Sequence, residues 1–325
     1  MKTSLSLALE ELSASVRRTP LLEFDRGLYV KAENFQTRGS YKIRGVMNVL
    51  RNRTHASLLR GVSTISAGNL GQSLAYAAAE LGIPCRVYVP DSAPDVKKNA
   101  IRKFGAELVE RPFAEIWDRV VTPPTAMEAG LIHPCFSADL RAGYEGIATE
   151  ILEDLPDAEC VVIPYGLGGL TLGVASALKK RKPGLLVFAA EIENAPPVAL
   201  ARGSELRPGA FVRSKLVDAI GTPALVPGIY ARVAPLLAGS VVIDERETAA
   251  ALRELHADRG LVVEGAAAVA YAAAEKIRKK NGPRKIVAIL SGRNIDPHVL
   301  FNLKDNSDAV PDPIARRALA AVPSG

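Results

Sequence analysis

The run Gly61-Val62-Ser63-Thr64-Ile65-Ser66 is short, rich in β-branched residues and opened by glycine, which is typical of a buried strand. A turn at residues 67–69 follows, and residues 72–81 then form an Ala- and Leu-rich stretch that predicts a helix ending at Gly82. The next β-branched run, Cys85–Pro90, predicts a second strand. A helix that connects two strands returns the chain so that the strands pair in parallel. This stretch therefore predicts an α/β fold built on a parallel sheet.

The same alternation of strand and helix signals continues on both sides of this unit. Further strands are predicted at residues 107–110, 161–164, 185–190, 261–263 and 285–290. Further helices are predicted at residues 46–50, 95–104, 170–180, 248–258 and 266–280. A proline-rich stretch that runs to Pro227 is predicted to be irregular, and the tail beyond Asp305 to be poorly ordered. With 325 residues, the chain is long enough for two packing units.

Composition and charge argue against several function classes. The net charge of +6 comes from 41 basic and 35 acidic residues spread along the chain, and only 5% of residues are aromatic, so no nucleic-acid partner is expected. The amino-terminal apolar run ends at Glu10, too early for a signal sequence, and no uncharged stretch reaches the length that spans a membrane. The three cysteines lack CxxC spacing, which favours free thiols in a reducing compartment and predicts a cytoplasmic protein.

Two motifs in the first half of the chain could carry chemistry, and each has a simpler structural explanation. Gly39-Ser40-Tyr41-Lys42 places a lysine among small and aromatic residues, although most isolated lysines are solvated surface cations. Ser66-Ala67-Gly68-Asn69 lies where a predicted strand passes into a helix, so its unpaired backbone N–H groups could bind a carboxylate. The same residue types also favour an ordinary helix cap, and both explanations stay open.

Two further motifs follow predicted strands in the second half. Gly166-Leu167-Gly168-Gly169 opens a helix, and its glycines let backbone N–H groups approach a phosphate. A dinucleotide site is the competing interpretation, but Thr171 stands where such a site needs a third glycine, which favours a phosphorylated cofactor over NAD. Ser291-Gly292-Arg293-Asn294 follows the last predicted strand, at a sheet edge where ligands commonly bind. Its serine hydroxyl can face a neutral pyridine nitrogen, and an ordinary polar turn is the alternative.

Taken in order with Glu264-Gly265-Ala266, these motifs resemble the fold type II pyridoxal-phosphate enzymes, and most closely their threonine/serine dehydratase branch. The resemblance runs from about Arg18 to Ile295. It implies pyridoxal 5′-phosphate as the cofactor and two domains, each a mostly parallel sheet with flanking helices. We therefore predict a large cofactor-binding domain of residues 1–51 and 138–325 and a small domain of residues 52–137.

The resemblance also implies a role for each motif residue. Lys42 matches the lysine that holds the cofactor as a Schiff base and then takes the α-proton of the substrate. The residues that match cofactor contacts are Tyr41, Lys42, Asn69, Gly166, Leu167, Gly168, Gly169, Leu170 and Ser291. The residues that match the loop around the substrate carboxylate are Ser66, Ala67, Gly68 and Asn69.

The implied reaction is the dehydration and deamination of a β-hydroxy amino acid such as threonine or serine, which releases a 2-oxo acid and ammonia. Racemases of this branch have a serine at position 67 as a second base, so Ala67 favours elimination. The alternatives are a racemase, a dehydratase of another substrate such as hydroxyaspartate, and a β-replacement enzyme. Outside catalysis, the alternative is a regulator that binds the cofactor or an amino acid.

The resemblance leaves three finer points. Arg293 could bind an additional substrate carboxylate or pack at the surface. Glu191, Ala195 and Pro197 fall where some relatives have a magnesium site with two acidic ligands, and since only one acid is present, no metal is expected. The family also implies a homodimer.

Overall fold

The computed structural model describes residues 4–125, 130–206, 214, 216–280 and 282–300. In this part of the chain the strands are β1 (Leu21–Asp25), β2 (Leu28–Lys31), β3 (Val62–Ile65), β4 (Cys85–Pro90), β5 (Glu107–Arg111), β6 (Leu131–Ile132), β7 (Cys160–Pro164), β8 (Leu186–Ile192), β9 (Gly239–Ile243) and β10 (Ile286–Ile289).

The helices of the same part begin near the amino terminus and alternate with the strands. They are α1 (Ser4–Ala14), α2 (Lys42–Arg51), α3 (His55–Leu59), α4 (Asn69–Leu81), α5 (Asp95–Arg102), α6 (Phe113–Val121), α7 (Ala138–Ala142), α8 (Glu145–Asp154), α9 (Gly169–Arg181), α10 (Pro197–Ala201), α11 (Pro227–Val233), α12 (Glu245–Ala257) and α13 (Gly265–Lys279).

The strands form two separate sheets. The larger sheet has six strands in the order β1-β2-β10-β7-β8-β9, and the smaller has four in the order β5-β4-β3-β6. Every neighbouring pair in both sheets is parallel, except that β1 pairs with β2 in the antiparallel sense. The predicted α/β fold with parallel sheets is therefore confirmed.

The six-stranded sheet is covered on both faces, as its central strands show. All residues of β7 and β10 are buried, which explains why these strands are continuous apolar runs and do not alternate with polar residues. Along β7, Val161 and Ile163 pack into the apolar cluster that contains residues of α8 and α9. Cys160 and Val162 point the other way, into the cluster formed with α12 and α13.

Three strand ends bring distant parts of the sequence together. β7 and β10 are neighbours in the large sheet, and the loops at residues 166–169 and 291–294 follow their carboxyl ends. β3 lies in the small sheet, and the turn at residues 66–68 leads from its carboxyl end into α4. Because ligands bind at the carboxyl ends of parallel strands, these loops are the expected place for a site.

The elements depart from the sequence prediction at several places: α4 and α12, for example, each begin three residues earlier than predicted. The strand predicted at residues 261–263 is wrong, because the segment joins no sheet: Leu261 N donates to Leu255 O, and Val262 O accepts from the side chain of Asn34. The helix predicted at residues 46–50 begins earlier, at Lys42. The stretch predicted to be irregular contains the short helix α10.

Two findings concern what lies outside these elements. The prediction of disorder beyond Asp305 falls outside the described residues. Across the described part of the chain, no helix combines the length and the hydropathy that crossing a bilayer requires.

Candidate active site

One cavity opens at the carboxyl ends of β7 and β10 and collects the motif residues. All of the residues predicted to contact the cofactor line it: Tyr41, Lys42, Asn69, Gly166, Leu167, Gly168, Gly169, Leu170 and Ser291. The cavity therefore joins four segments that are far apart in sequence. Their individual roles remain predictions, but their convergence is the first requirement of an active site.

Lys42 is the first residue of α2 and is half-buried at the cavity wall. Its Nζ lies 4.7 Å from the ring centroid of Tyr41 and 5.8 Å from that of Tyr144. Among the described residues, no ion pair involves this ammonium; Arg44 on the same helix, by contrast, is paired with Glu33. An amine that faces aromatic rings, with no carboxylate to bind it, is available for a covalent bond to a carbonyl group.

The segment before Lys42 is held by the loop after β10. Ser40 bridges to Gly292, and Tyr41 N donates to the carbonyl oxygen of Ser291 at 3.2 Å. Gly39 has φ +71°, and a Cβ there would lie 2.9 Å from side-chain atoms of both Arg293 and Asn294. Glycine is thus required for this close approach, which places Lys42 and Ser291 on facing walls of one cavity.

The glycine loop presents an anion site at the start of α9. Gly168 is the N-cap, with φ +83°, and a Cβ there would lie 2.9 Å from Ile229 Cγ2 and from Tyr165 Oη. No side chain caps the helix, so the first backbone N–H groups have no such partner. Thr171, which also lines the cavity, is fully buried and its Oγ1 has no hydrogen-bond partner. These donors at a helix N-terminus fit the phosphate of pyridoxal phosphate.

Asn69 and Ser291 are joined by a third buried residue, Glu264. Asn69 Nδ2 donates to Glu264 Oε2 at 2.8 Å, and Ser291 Oγ is hydrogen-bonded to Glu264 Oε1 at 2.9 Å. Asn69 Oδ1 accepts from Asn294 Nδ2 at 2.8 Å, which fixes the orientation of the amide. The second hydrogen of Asn69 Nδ2 remains for an oxygen in the cavity.

The turn predicted to bind the substrate carboxylate lies beside the cavity. Asn69 lines it, whereas Ser66, Ala67 and Gly68 form the approach to α4 and are not part of its wall. Ser66 Oγ accepts from Gly68 N at 3.2 Å, so this hydroxyl shapes the turn.

Several residues of the cavity wall received no site role from the sequence, although Glu264 and Ala266 lie in one of the motifs that carry the resemblance. The residues without such a role are Pro134, Pro164, Thr171, Ala219, Ile220, Glu264 and Ala266. Glu264 carried a signal in the sequence, because it is an acidic residue between the apolar run 261–263 and an Ala-rich helix. An acid in such a position is buried only when hydrogen bonds satisfy it.

Two residues with open roles make contacts outside the cavity. Arg293 donates to Asn34 O at 2.9 Å and packs beside Gly39, which favours the packing explanation over a substrate contact. The carboxylate of Glu191 accepts from Val198 N at 2.7 Å and Ala199 N at 2.8 Å, and it also accepts from Ser240 Oγ. Glu191 therefore ties the start of α10 to β8 and β9.

A larger cavity, of about 380 Å³, lies at the amino ends of the strands of the small sheet. Its wall includes Arg60, Arg86 and Arg119, but Arg86 is paired with Glu107 at 2.8 Å. None of the residues predicted to contact the cofactor or the substrate lines this cavity. The amino ends of parallel strands are the side where ligands seldom bind, so the smaller cavity is the candidate active site.

Comparison with known proteins points to the same chemistry. The sequence model of a family described as pyridoxal-phosphate dependent enzyme matches residues 12–292. An L-threonine ammonia-lyase of Geobacter sulfurreducens is 34% identical over 305 residues, which cover 90% of this chain and 75% of that protein.

Solved structures show the same similarity. The processed form of threonine deaminase isoform 2 from Solanum lycopersicum superposes with a TM-score of 0.76 at 26% identity, covering 95% of this chain and 95% of the other. Maize serine racemase also gives a TM-score of 0.76 at 26% identity, covering 92% of this chain and 96% of the other.

Proposed function

The chain belongs to the family of pyridoxal-phosphate-dependent enzymes, and on that premise we propose that it is an ammonia-lyase acting on a β-hydroxy amino acid, with threonine as the first candidate substrate. The observation that carries the proposal is the convergence of Lys42 with the glycine loop in one cavity. The ammonia-lyase of Geobacter sulfurreducens, similar over most of the chain, supports threonine as substrate.

The residues of the cavity suit the cofactor in four places. Backbone N–H groups at the start of α9 would bind its phosphate, and Lys42 Nζ would hold it covalently. Asn69 Nδ2 would donate to its ring hydroxyl oxygen, and Ser291 Oγ would face its ring nitrogen. When bound, pyridoxal phosphate supplies an electron sink for the substrate α-carbon.

Proton transfer at the α-carbon is the task of Lys42. The carboxyl group of Glu264 also lines the cavity, but both of its oxygens are hydrogen-bonded to Asn69 and Ser291, so we assign the α-proton to the amine of Lys42. Loss of the β-hydroxyl as water and later hydrolysis leave a 2-oxo acid and ammonia. The atoms balance, because the water lost in elimination is regained in hydrolysis.

A racemase is the second candidate, since the fold is also similar to that of maize serine racemase. Racemisation needs a proton donor on the face of the α-carbon opposite the base. Ala67, in the turn beside Asn69, has no group that can transfer a proton. We therefore favour elimination.

The proposal also covers the division into domains, the cellular compartment and the oligomeric state. The large domain would comprise residues 1–51 and 138–325 and the small domain residues 52–137, because β3, β4, β5 and β6 all lie within the second range. Cys85, Cys135 and Cys160 are free thiols, which is the usual state of cysteines in a reducing compartment. We place the enzyme in the cytoplasm as a homodimer, the latter by analogy with the family.

A substrate screen tests the proposal. The purified enzyme, loaded with pyridoxal phosphate, is incubated with threonine, serine and hydroxyaspartate, and both 2-oxo acid release and loss of optical purity are measured. We expect 2-oxo acid from at least one of the three and no racemised substrate. Racemisation without 2-oxo acid would show that the assignment of Ala67 is wrong.

A further inference from the structure

Glu264 joins the two side chains that would contact the cofactor ring. Its Oε2 accepts from Asn69 Nδ2 at 2.8 Å and its Oε1 is 2.9 Å from Ser291 Oγ. The main chain of Glu264 is fixed to the same loop, because its N–H donates to Gly292 O at 2.9 Å. A carboxyl group held at both oxygens and at its backbone can act only through these partners.

The surroundings of Glu264 contain no cation in contact with it. The residue is 3% exposed, and its side-chain partners among the described residues are the two named above. The charged or titratable groups that face it are Asp218, Lys97 and Tyr41. Lys97 is bound to Asp218 at 2.5 Å, so its charge is largely cancelled at Glu264.

The position of one proton decides what Ser291 can do. If Glu264 were ionised, the serine hydroxyl would donate to it and would offer only lone pairs to the cofactor, which suits a protonated ring nitrogen. If Glu264 carries a proton on Oε1, that proton is donated to Ser291 Oγ. The serine hydrogen is then free to be donated to an unprotonated ring nitrogen.

We propose that Glu264 is a positioning residue that keeps its proton on Oε1, so that Ser291 donates its own hydrogen to the unprotonated ring nitrogen of the cofactor. This inference rests on the proposed function, which places that nitrogen opposite Ser291. Oε2 receives the hydrogen of Asn69, and Oε1 is therefore the oxygen left to bear the proton.

The electrostatics of the site agree with this arrangement. Burial is the largest influence on Glu264, and it raises the pKa of the carboxyl group above its usual value although the two hydrogen bonds oppose it. The negative charge of Asp218 also raises this pKa, and it outweighs the opposing effect of its partner Lys97. An unprotonated ring withdraws electrons only moderately, so elimination of a β-substituent is favoured over repeated reprotonation of the α-carbon.

The test compares wild type with Glu264→Gln, each loaded with pyridoxal phosphate labelled with ¹⁵N in the ring. Glutamine reproduces the protonated acid, because its NH₂ can donate to Ser291 Oγ while its oxygen accepts from Asn69. We expect the ¹⁵N signal of an unprotonated pyridine in both proteins at about pH 7. A protonated signal in wild type would overturn the inference, whether or not Glu264→Gln converts it to the unprotonated form.

Two further measurements keep the outcomes distinct. The infrared spectrum of wild type should contain the band of a buried protonated carboxyl group, and Ser291→Ala should shift it; absence of the band overturns the inference even if Glu264→Gln does not fold. Failure of wild type to bind the cofactor through Lys42 would instead refute the proposed function. Cofactor bound at Lys42 with a protonated ring nitrogen would refute only the role of Glu264.

Discussion

Thr171 illustrates how much a single side chain can add to the phosphate site. Its Oγ1 is fully buried at the cavity wall and has no hydrogen-bond partner among the residues that the structure describes. A buried hydroxyl without a hydrogen bond costs free energy that a bound anion would recover. Its companions in the glycine loop offer only backbone groups, so Thr171 is the side chain to change.

We expect Thr171→Val to weaken the binding of pyridoxal phosphate by about tenfold, the loss of one hydrogen bond to a charged group. Binding of pyridoxal, which lacks the phosphate, should not change. The dissociation constants are measured from the absorbance of the bound cofactor, with Thr171→Ser as the matched control. An equal loss for both compounds would mean that the variant disturbs the cavity as a whole.

Glu150, which lies on α8, holds α2 in place through Arg44. It accepts hydrogen bonds from Arg44 at 2.7 Å and 2.9 Å and pairs with the buried Lys31 at 2.6 Å. Burial works to raise the pKa of Glu150, but the hydrogen bonds from Arg44 and Lys31 outweigh it and lower the pKa. A group with a lowered pKa stabilises the fold above its unfolded pKa of about 4.3 and ceases to do so as the pH falls.

We therefore expect Glu150→Gln to lower the free energy of unfolding by about 3 kcal/mol at neutral pH, because it removes the carboxylate paired with the buried Lys31 and leaves Arg44 with Glu33 alone. The loss should shrink as the pH falls through the pKa of Glu150, where the wild-type carboxyl is itself protonated. Urea denaturation at a series of pH values measures it, with the exposed Glu153 changed to Gln as control. A pH-independent loss would contradict this account.

Most residues of the cavity could be predicted from short sequence motifs, but the role of Glu264 could not. The nine residues predicted to contact the cofactor lie in short motifs, and all of them line the cavity. Glu264 could not be assigned in the same way, because its partners are 195 and 27 residues away. Its role is visible only once the fold brings Asn69 and Ser291 together.

At the scale of elements, the start of α2 was harder to predict than its existence. The sequence Lys42-Ile43-Arg44-Gly45 contains a glycine that ordinarily weakens a helix. In the structure a Cβ at Gly45 would lie 2.5 Å from Leu140 O and 2.6 Å from Tyr144 Cε1. Glycine is there because α2 packs closely against α7 and the start of α8, which local propensity does not reveal.

Gly45→Ala tests this contact. Alanine improves helix propensity by about 1 kcal/mol, but the clash involves a backbone oxygen that cannot turn away. We expect a net loss of stability of about 1–3 kcal/mol, together with weaker cofactor binding because Lys42 moves with α2. Thermal denaturation compares it with Gly184→Ala, where a Cβ meets no atom within 4 Å. Equal stability of the two variants would be inconsistent with the packing described.

The wrongly predicted strand at residues 261–263 has a different cause. A run of Leu and Val favours a strand by composition, but a strand needs a neighbour with which to share hydrogen bonds. Here the segment is used as a connection from α12 to α13, and Val262 is 38% exposed. The pairing partner is a tertiary property, so the sequence pattern alone could not reject this strand.

At the scale of the whole molecule, an ion pair connects the helix after β4 to the loop that leads to the cavity wall. Lys97 lies on α5, and its Nζ is 2.5 Å from Asp218 Oδ2. Asp218 directly precedes Ala219 and Ile220, which line the cavity. The ion pair therefore ties α5 to the segment that enters the cavity wall.

We expect Lys97→Met to lower the free energy of unfolding by less than about 1 kcal/mol, because the pair is partly exposed to solvent. Release of pyridoxal phosphate should nevertheless become faster, since the segment that leads to Ala219 and Ile220 loses its contact with α5. Stopped-flow absorbance measures the release rate, and Lys103→Met, at the C-cap of the same helix, is the control. Unchanged release would show that the ion pair does not support this segment of the cavity wall.

The proposal that Lys42 binds pyridoxal phosphate is tested most directly by identifying the lysine that carries the cofactor. The active enzyme is loaded with pyridoxal phosphate, reduced with borohydride, digested and examined by mass spectrometry. We expect a phosphopyridoxyl group on the peptide that contains Lys42. In Lys42→Ala, both this adduct and the release of 2-oxo acid should be lost. An adduct on a different lysine, or an active enzyme with no adduct, would contradict it.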